Sequence, residues 1–115
     1  MLGYDAYVHE IRPGVSEEDV RRIAQFQYKE RMSYLDTLTS RRVAHVPCRT
    51  WVDKLLNVAD DGRVRMLHDG GYPYLFHASG KEIKANFATA GVGAIATLSD
   101  ATWYLVEAWD QSSHR

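Results

Sequence analysis

His45, Cys48, His68 and His77 carry the side chains most often recruited for metal binding and nucleophilic catalysis. Zinc accepts such a mixed imidazole and thiolate set in a tetrahedral arrangement. The spacing His45-Val46-Pro47-Cys48 is not that of a standard knuckle, and a proline interrupts it. Five histidines in 115 residues also produce such sets by chance. Cys48, the only cysteine, needs a histidine base brought to it by folding before it serves as a nucleophile. A lone cysteine is more often a small core residue. His68-Asp69 precedes Gly70-Gly71, and aspartate with glycine is ordinary turn chemistry. These residues leave a small metal- or histidine-dependent hydrolase as an alternative, with no bound metal expected.

A second candidate is Gly91-Val92-Gly93-Ala94-Ile95-Ala96, which matches the G-x-G-x-x-A pattern. A dinucleotide site needs that turn between a strand and a helix early in a βαβ unit. Only nineteen residues follow Ala96, and they read as strands. Dinucleotide binding is therefore rejected, and no cofactor is expected.

A third candidate is Arg31 with Gln27. Both fall in the apolar sector of an otherwise amphipathic stretch. An inward guanidinium needs a partner, because burying an unpaired charge is expensive. Either the Arg31 stem packs and its head snorkels to water, or the two residues line a pocket for an anionic metabolite or nucleotide. A fourth is aromatic surface. Trp103 and Trp109 share one face of a strand, Tyr72 and Tyr74 share a face of another, and Phe26 points away from the apolar stripe. Tryptophan and tyrosine are favoured anchors at protein interfaces.

These residues need elements to hold them. Val15 to Leu38 is the best-specified stretch and predicts one long amphipathic helix. Ser16 is a good N-cap, Asp19 stands where a capping box needs its acceptor, and Val15 and Val20 form a hydrophobic staple. Glu17, Glu18 and Asp19 complement the helix dipole. At 100° per residue, Val20, Ile23, Ala24, Tyr28, Met32, Tyr34, Leu35 and Leu38 gather on one side.

Leu2 to Ile11 alternates as a strand, with Ala6 and Val8 on one face and Asp5, Tyr7 and His9 on the other. Arg12-Pro13-Gly14 turns the chain into the helix. Thr39 to Arg42 reads as a loop, Val43 to Val46 as a short strand, and Thr50 to Ala59 as a shorter helix closed by Gly62. Arg63 to Leu67 and Tyr72 to Ala78 predict a hairpin. Residues 79–90 fit both a strand and a short helix. The helix is preferred, because Ser79 and Glu82 have capping-box spacing. Val92 to Leu98 and Trp103 to Trp109 read as strands, the latter central because both its faces are apolar.

Length and composition set the frame. With 45% hydrophobic and 25% charged residues, the chain has ordinary globular composition. Fourteen basic residues nearly balance fifteen acidic ones, so general affinity for a nucleic-acid backbone is not expected. A local basic patch at Arg41, Arg42 and Arg49 remains. No run approaches the roughly 18 apolar residues that span a bilayer. The first residues lack the basic and apolar regions of a signal peptide. The expectation is a cytoplasmic protein with no membrane partner, a single α+β domain over residues 1–110, and a frayed polar tail at 111–115.

The predicted fold is a mostly antiparallel sheet of about five strands packed against one long amphipathic helix, with one or two shorter helices. The predicted function is a small non-enzymatic protein-binding module of inhibitor, immunity or phage and defence accessory type. It would act on a protein partner through its aromatic residues, and its near-zero net charge permits a homodimer.

Overall fold

The computed structural model describes residues 4–48, 59, 62, 64–69, 73–87 and 93–110. The predicted helix over Thr50 to Ala59 lies outside the described residues except at Ala59, and so do Tyr72, Arg49, the tail, and the Cys48 side chain.

The chain forms β1 (Tyr4–Ile11), α1 (Glu17–Arg21), a 3-10 turn (Arg22–Gln25), α2 (Tyr28–Leu38) and β2 (Thr39–Cys48). Then follow β3 (Arg65–His68), β4 (Tyr74–Ser79), α3 (Gly80–Phe87), α4 (Gly93–Ala96) and β5 (Trp103–Asp110). The five strands make one antiparallel sheet in the order β2-β1-β5-β4-β3. This is an α+β architecture with β5 at its centre.

Two excursions cover the two faces of the sheet. From β1 the chain runs through α1 and α2 and returns as β2. The resulting core joins Val20, Ile23, Leu35 and Leu38 to Leu67, Leu75 and Leu105. From β4 it runs through α3 and α4 and returns as β5. There Ile83 and Ile95 pack on Ala6, Val8, Phe76, Tyr104 and Val106. Strict alternation along β5 supplies both cores, because successive side chains point to opposite faces. Burying Val20, Ile23 or Leu35 completely contributes about 1.5–3 kcal/mol each.

The single long helix is not formed. α1 begins as its sequence dictates: Ser16 Oγ accepts from the Asp19 amide at 3.1 Å, and Asp19 Oδ2 accepts from the Ser16 amide at 3.0 Å. After the 3-10 turn, however, Phe26 and Gln27 are extended, and α2 starts afresh at Tyr28. No proline or glycine causes the break. The reason is phase. One continuous helix would set Gln27 in the seam and Phe26 in water, whereas the broken one leaves Gln27 exposed and half-buries Phe26. Resetting the chain at Phe26 lets its ring pack on Tyr34, with centroids 4.8 Å apart. Tyr34 Oη donates to the Asp19 carbonyl at 2.7 Å and ties α2 back to α1.

Other elements also depart from expectation. β2 begins at Thr39 rather than Val43, because β1 is there to pair with it. Glu10 lies opposite Arg41 and Ile11 opposite Thr39, and the Glu10 carboxylate accepts from Ser40 Oγ at 2.9 Å. Residues 93–96 are helical rather than a strand, with Ile95 turned into the core. α3 forms as the Ser79 cap predicts, its hydroxyl accepting from the Glu82 amide at 3.3 Å. At Gly80 the Ser99 carbonyl occupies the space a Cβ would need. Glycine thus lets α3 leave β4 directly against the loop before β5. No helix among the described residues is long and apolar enough to cross a membrane.

Candidate functional site

The face of the sheet covered by α1 and α2 carries a polar row at its middle. Arg42 of β2 lies opposite His9 of β1, His9 opposite Leu105 of β5, Leu105 opposite His77 of β4, and His77 opposite Arg65 of β3. The row thus has leucine at its centre, a histidine on each side and an arginine at each end. Both histidines are buried, with His9 7% and His77 5% exposed.

On the β1 side the polar groups are paired. His9 Nε2 lies 2.6 Å from Glu107 Oε1, and Trp109 Nε1 donates to Glu107 Oε2 at 2.7 Å. Glu107 is fully buried, so these partners replace the water it gave up. Further out, the Tyr7 ring is stacked with His45 at 4.7 Å and carries the Arg42 guanidinium 3.9 Å from its centroid. His45 in turn pairs with Asp5 at 3.2 Å.

On the β4 side the histidine is not. His77 Nδ1 is buried and has no hydrogen-bond partner. Burial, reinforced by the nearby Arg65 and Arg21 charges, pushes His77 down to about 4, so it is neutral at pH 7. Its ring packs on Trp103, with centroids 4.8 Å apart. The Arg65 guanidinium sits over the same indole, 5.3 Å from its centroid, and contacts the Glu17 carboxylate. Glu17 also accepts from Arg21 at 3.2 Å.

These groups line a half-open cleft of about 390 Å³ between the start of α1 and the sheet. Ile11, Val15 and Val20 form its apolar wall, and Arg65, His77, Trp103 and Glu17 its polar one. Its size falls within the range of small-molecule sites. Ser16 lines it too, but its hydroxyl is committed to the helix cap. Among the described lining residues no nucleophile stands beside a base. The arrangement suits binding a planar, negatively charged group: a cation, an exposed indole, and a neutral imidazole with one unsatisfied nitrogen.

The residues singled out from the sequence fall in different places. His45 lies on β2 and His68 on β3, at opposite edges of the sheet, four strand spacings or about 19 Å apart. His68 Nδ1 is 2.9 Å from the Pro73 carbonyl. Among the described residues no three histidine, cysteine, aspartate or glutamate side chains converge as metal ligands. Arg31 is buried, and its Nη2 donates to the Phe26 carbonyl at 3.0 Å, serving the chain break between the helices. Its Nε is buried without a partner. Gln27 is exposed.

Of the aromatic residues, Trp109 is buried in the Glu107 network, with Tyr28 set edge-on to it at 6.3 Å. Tyr74 packs partly into the opposite core, stacked on Phe76. Phe26 is half-buried beside Tyr34. Among the described residues, Trp103 and Tyr28 are the exposed large hydrophobic ones, at 37% and 49%.

Sequence reasoning named His77 and Trp103 for other roles and missed Arg65 and Glu17. One signal was present. Alternation in Tyr74 to Ser79 puts His77 in phase with Leu75, which marks a histidine on a buried face. The chain matches no family model, no curated protein and no solved structure, so the functional reading rests on this geometry.

Proposed function

We propose that this protein is a small non-catalytic binding protein whose ligand occupies the cleft against His77, Arg65 and Trp103. The observation that carries the reading is the buried His77 Nδ1 without a partner, in a ring on the cleft wall. An unsatisfied buried polar atom costs the empty protein about 1–3 kcal/mol. A ligand that supplies the missing hydrogen bond recovers that loss. Nδ1 is shielded from water in the empty cleft, so a ligand reaches it only when a side chain of the cleft wall moves.

The test is ligand-observed NMR with a library of small aromatic acids, amides and amines. Hits on the wild-type protein should be lost in His77→Phe, a variant that keeps the ring but removes both nitrogens. Equal hits on both proteins, or none on either, would overturn the reading.

A second reading keeps the same cleft but fills it with a side chain from a protein partner. The exposed Trp103 at its rim favours this, because such indoles anchor interfaces. For a second copy of this chain as that partner, sedimentation velocity is the direct check: a concentration-independent monomer removes the homodimer.

A further inference from the structure

We infer that Glu17 is a built-in occupant of the cleft's anion subsite, and that the ligand is a planar aromatic carboxylate which takes Arg65 from it. This rests on the cleft being the binding site. Arg65 is held on both sides, by the Trp103 ring beneath it and the Glu17 carboxylate against it. It is therefore oriented towards the position an incoming carboxylate would take. A guanidinium binds carboxylate through two parallel N–H bonds, which an uncharged group cannot reproduce.

Glu17 can give way at little cost. Its side chain is about half exposed and keeps a second cation, Arg21, at 3.2 Å. Exchange of one exposed ion pair for another changes stability little. The two arginines and one glutamate leave a net charge of +1 beside a neutral His77, which an anion neutralises. The exposed part of the Trp103 indole and the wall of Ile11, Val15 and Val20 then give an aromatic ring apolar surface to pack on.

Glu17 thus sets a threshold. A ligand must compete with a tethered carboxylate, so weak anions are excluded and affinity depends on how firmly Glu17 is held. Removing that competitor should strengthen binding. Removing its alternative partner Arg21 should weaken binding, because Glu17 then falls back on Arg65.

Isothermal titration with benzoate and its uncharged isostere benzamide tests the inference on the full chain. Circular dichroism confirms that each variant is folded. Wild-type protein should bind benzoate and discriminate strongly against benzamide. Glu17→Gln should bind benzoate severalfold more tightly, Arg21→Gln severalfold more weakly, and Arg65→Gln not at all. If Glu17→Gln binds benzoate no better than wild type, the competition is wrong, while loss in Arg65→Gln and His77→Phe would still support the cleft. If benzamide binds as well as benzoate, the carboxylate class is wrong. If neither probe binds wild type or Glu17→Gln, the inference is wrong, while the binding reading is decided by the wider library.

Discussion

His9 and His77 flank the same leucine, on the same face of the same sheet, with nearly equal burial. They differ in what surrounds them. His9 meets Glu107, whose other oxygen takes the Trp109 N–H. His77 meets an indole and an arginine, and its Nδ1 meets nothing. Matching burial with opposite hydrogen bonding separates two uses of one residue type. A satisfied histidine specifies the packing of strands and helices around it. An unsatisfied one on a cleft wall is a standing loss of stability that a ligand can reverse.

The largest effect should come from breaking the satisfied half. Glu107→Ala leaves the His9 and Trp109 N–H groups buried without their acceptor. Unfolding in urea should show a loss of about 3–5 kcal/mol, as when one partner of a buried pair is removed. Stability within a few tenths of wild type would mean that the network is not structural.

The unsatisfied half should reveal itself in acid. His77 titrates at about 4 in the folded protein against an ordinary 6.5. Between those values the unfolded chain takes up a proton that the folded one refuses. Its contribution is therefore fully present above about 6.5 and is lost as pH falls towards 4. The loss should reach up to about 3 kcal/mol. In His77→Phe that dependence should disappear from the window, which is read by urea melts at stepped pH.

A direct contrast compares His9→Phe with His77→Phe at pH 7. The first removes the His9 contact from the buried Glu107 carboxylate, which keeps Trp109, and should cost about 2 kcal/mol. The second removes an orphan and should range from no change to a gain of about 1 kcal/mol. Equal destabilisation by both would erase the distinction. The smallest loss of stability belongs to Ser16→Ala. Loss of the capping box should cost about 1 kcal/mol, and loosening of the α1 start that carries Glu17 should leave the His9 network unchanged. Thermal melts together with the Trp109 indole N–H signal in NMR would show both.

What the sequence determined by itself is what neighbouring residues decide among themselves. Ser16 and Asp19 are three residues apart and close their capping box without help. Ser79 caps α3 in the same local way. Alternation in β1 and in Trp103 to Trp109 marks strands whoever their neighbours are, and five antiparallel strands with helices follow from such patterns. The tertiary structure decided whatever depends on a distant partner. The helix breaks at Phe26 because the sheet and Tyr34 reward a change of phase that propensity does not register. Thr39 to Arg42 becomes strand because β1 lies beside it. Gly93 to Ala96 coils because Ile95 has a core to enter.

The candidate site belongs wholly to that second kind. His9 and Glu107 are 98 residues apart in the chain, and Glu17, Arg65, His77 and Trp103 come from four separate elements. Spacing along a chain reports residues that share a turn of helix or a face of strand. It does not report which strands lie side by side, and strand order alone gave one histidine a carboxylate and left the other without a partner.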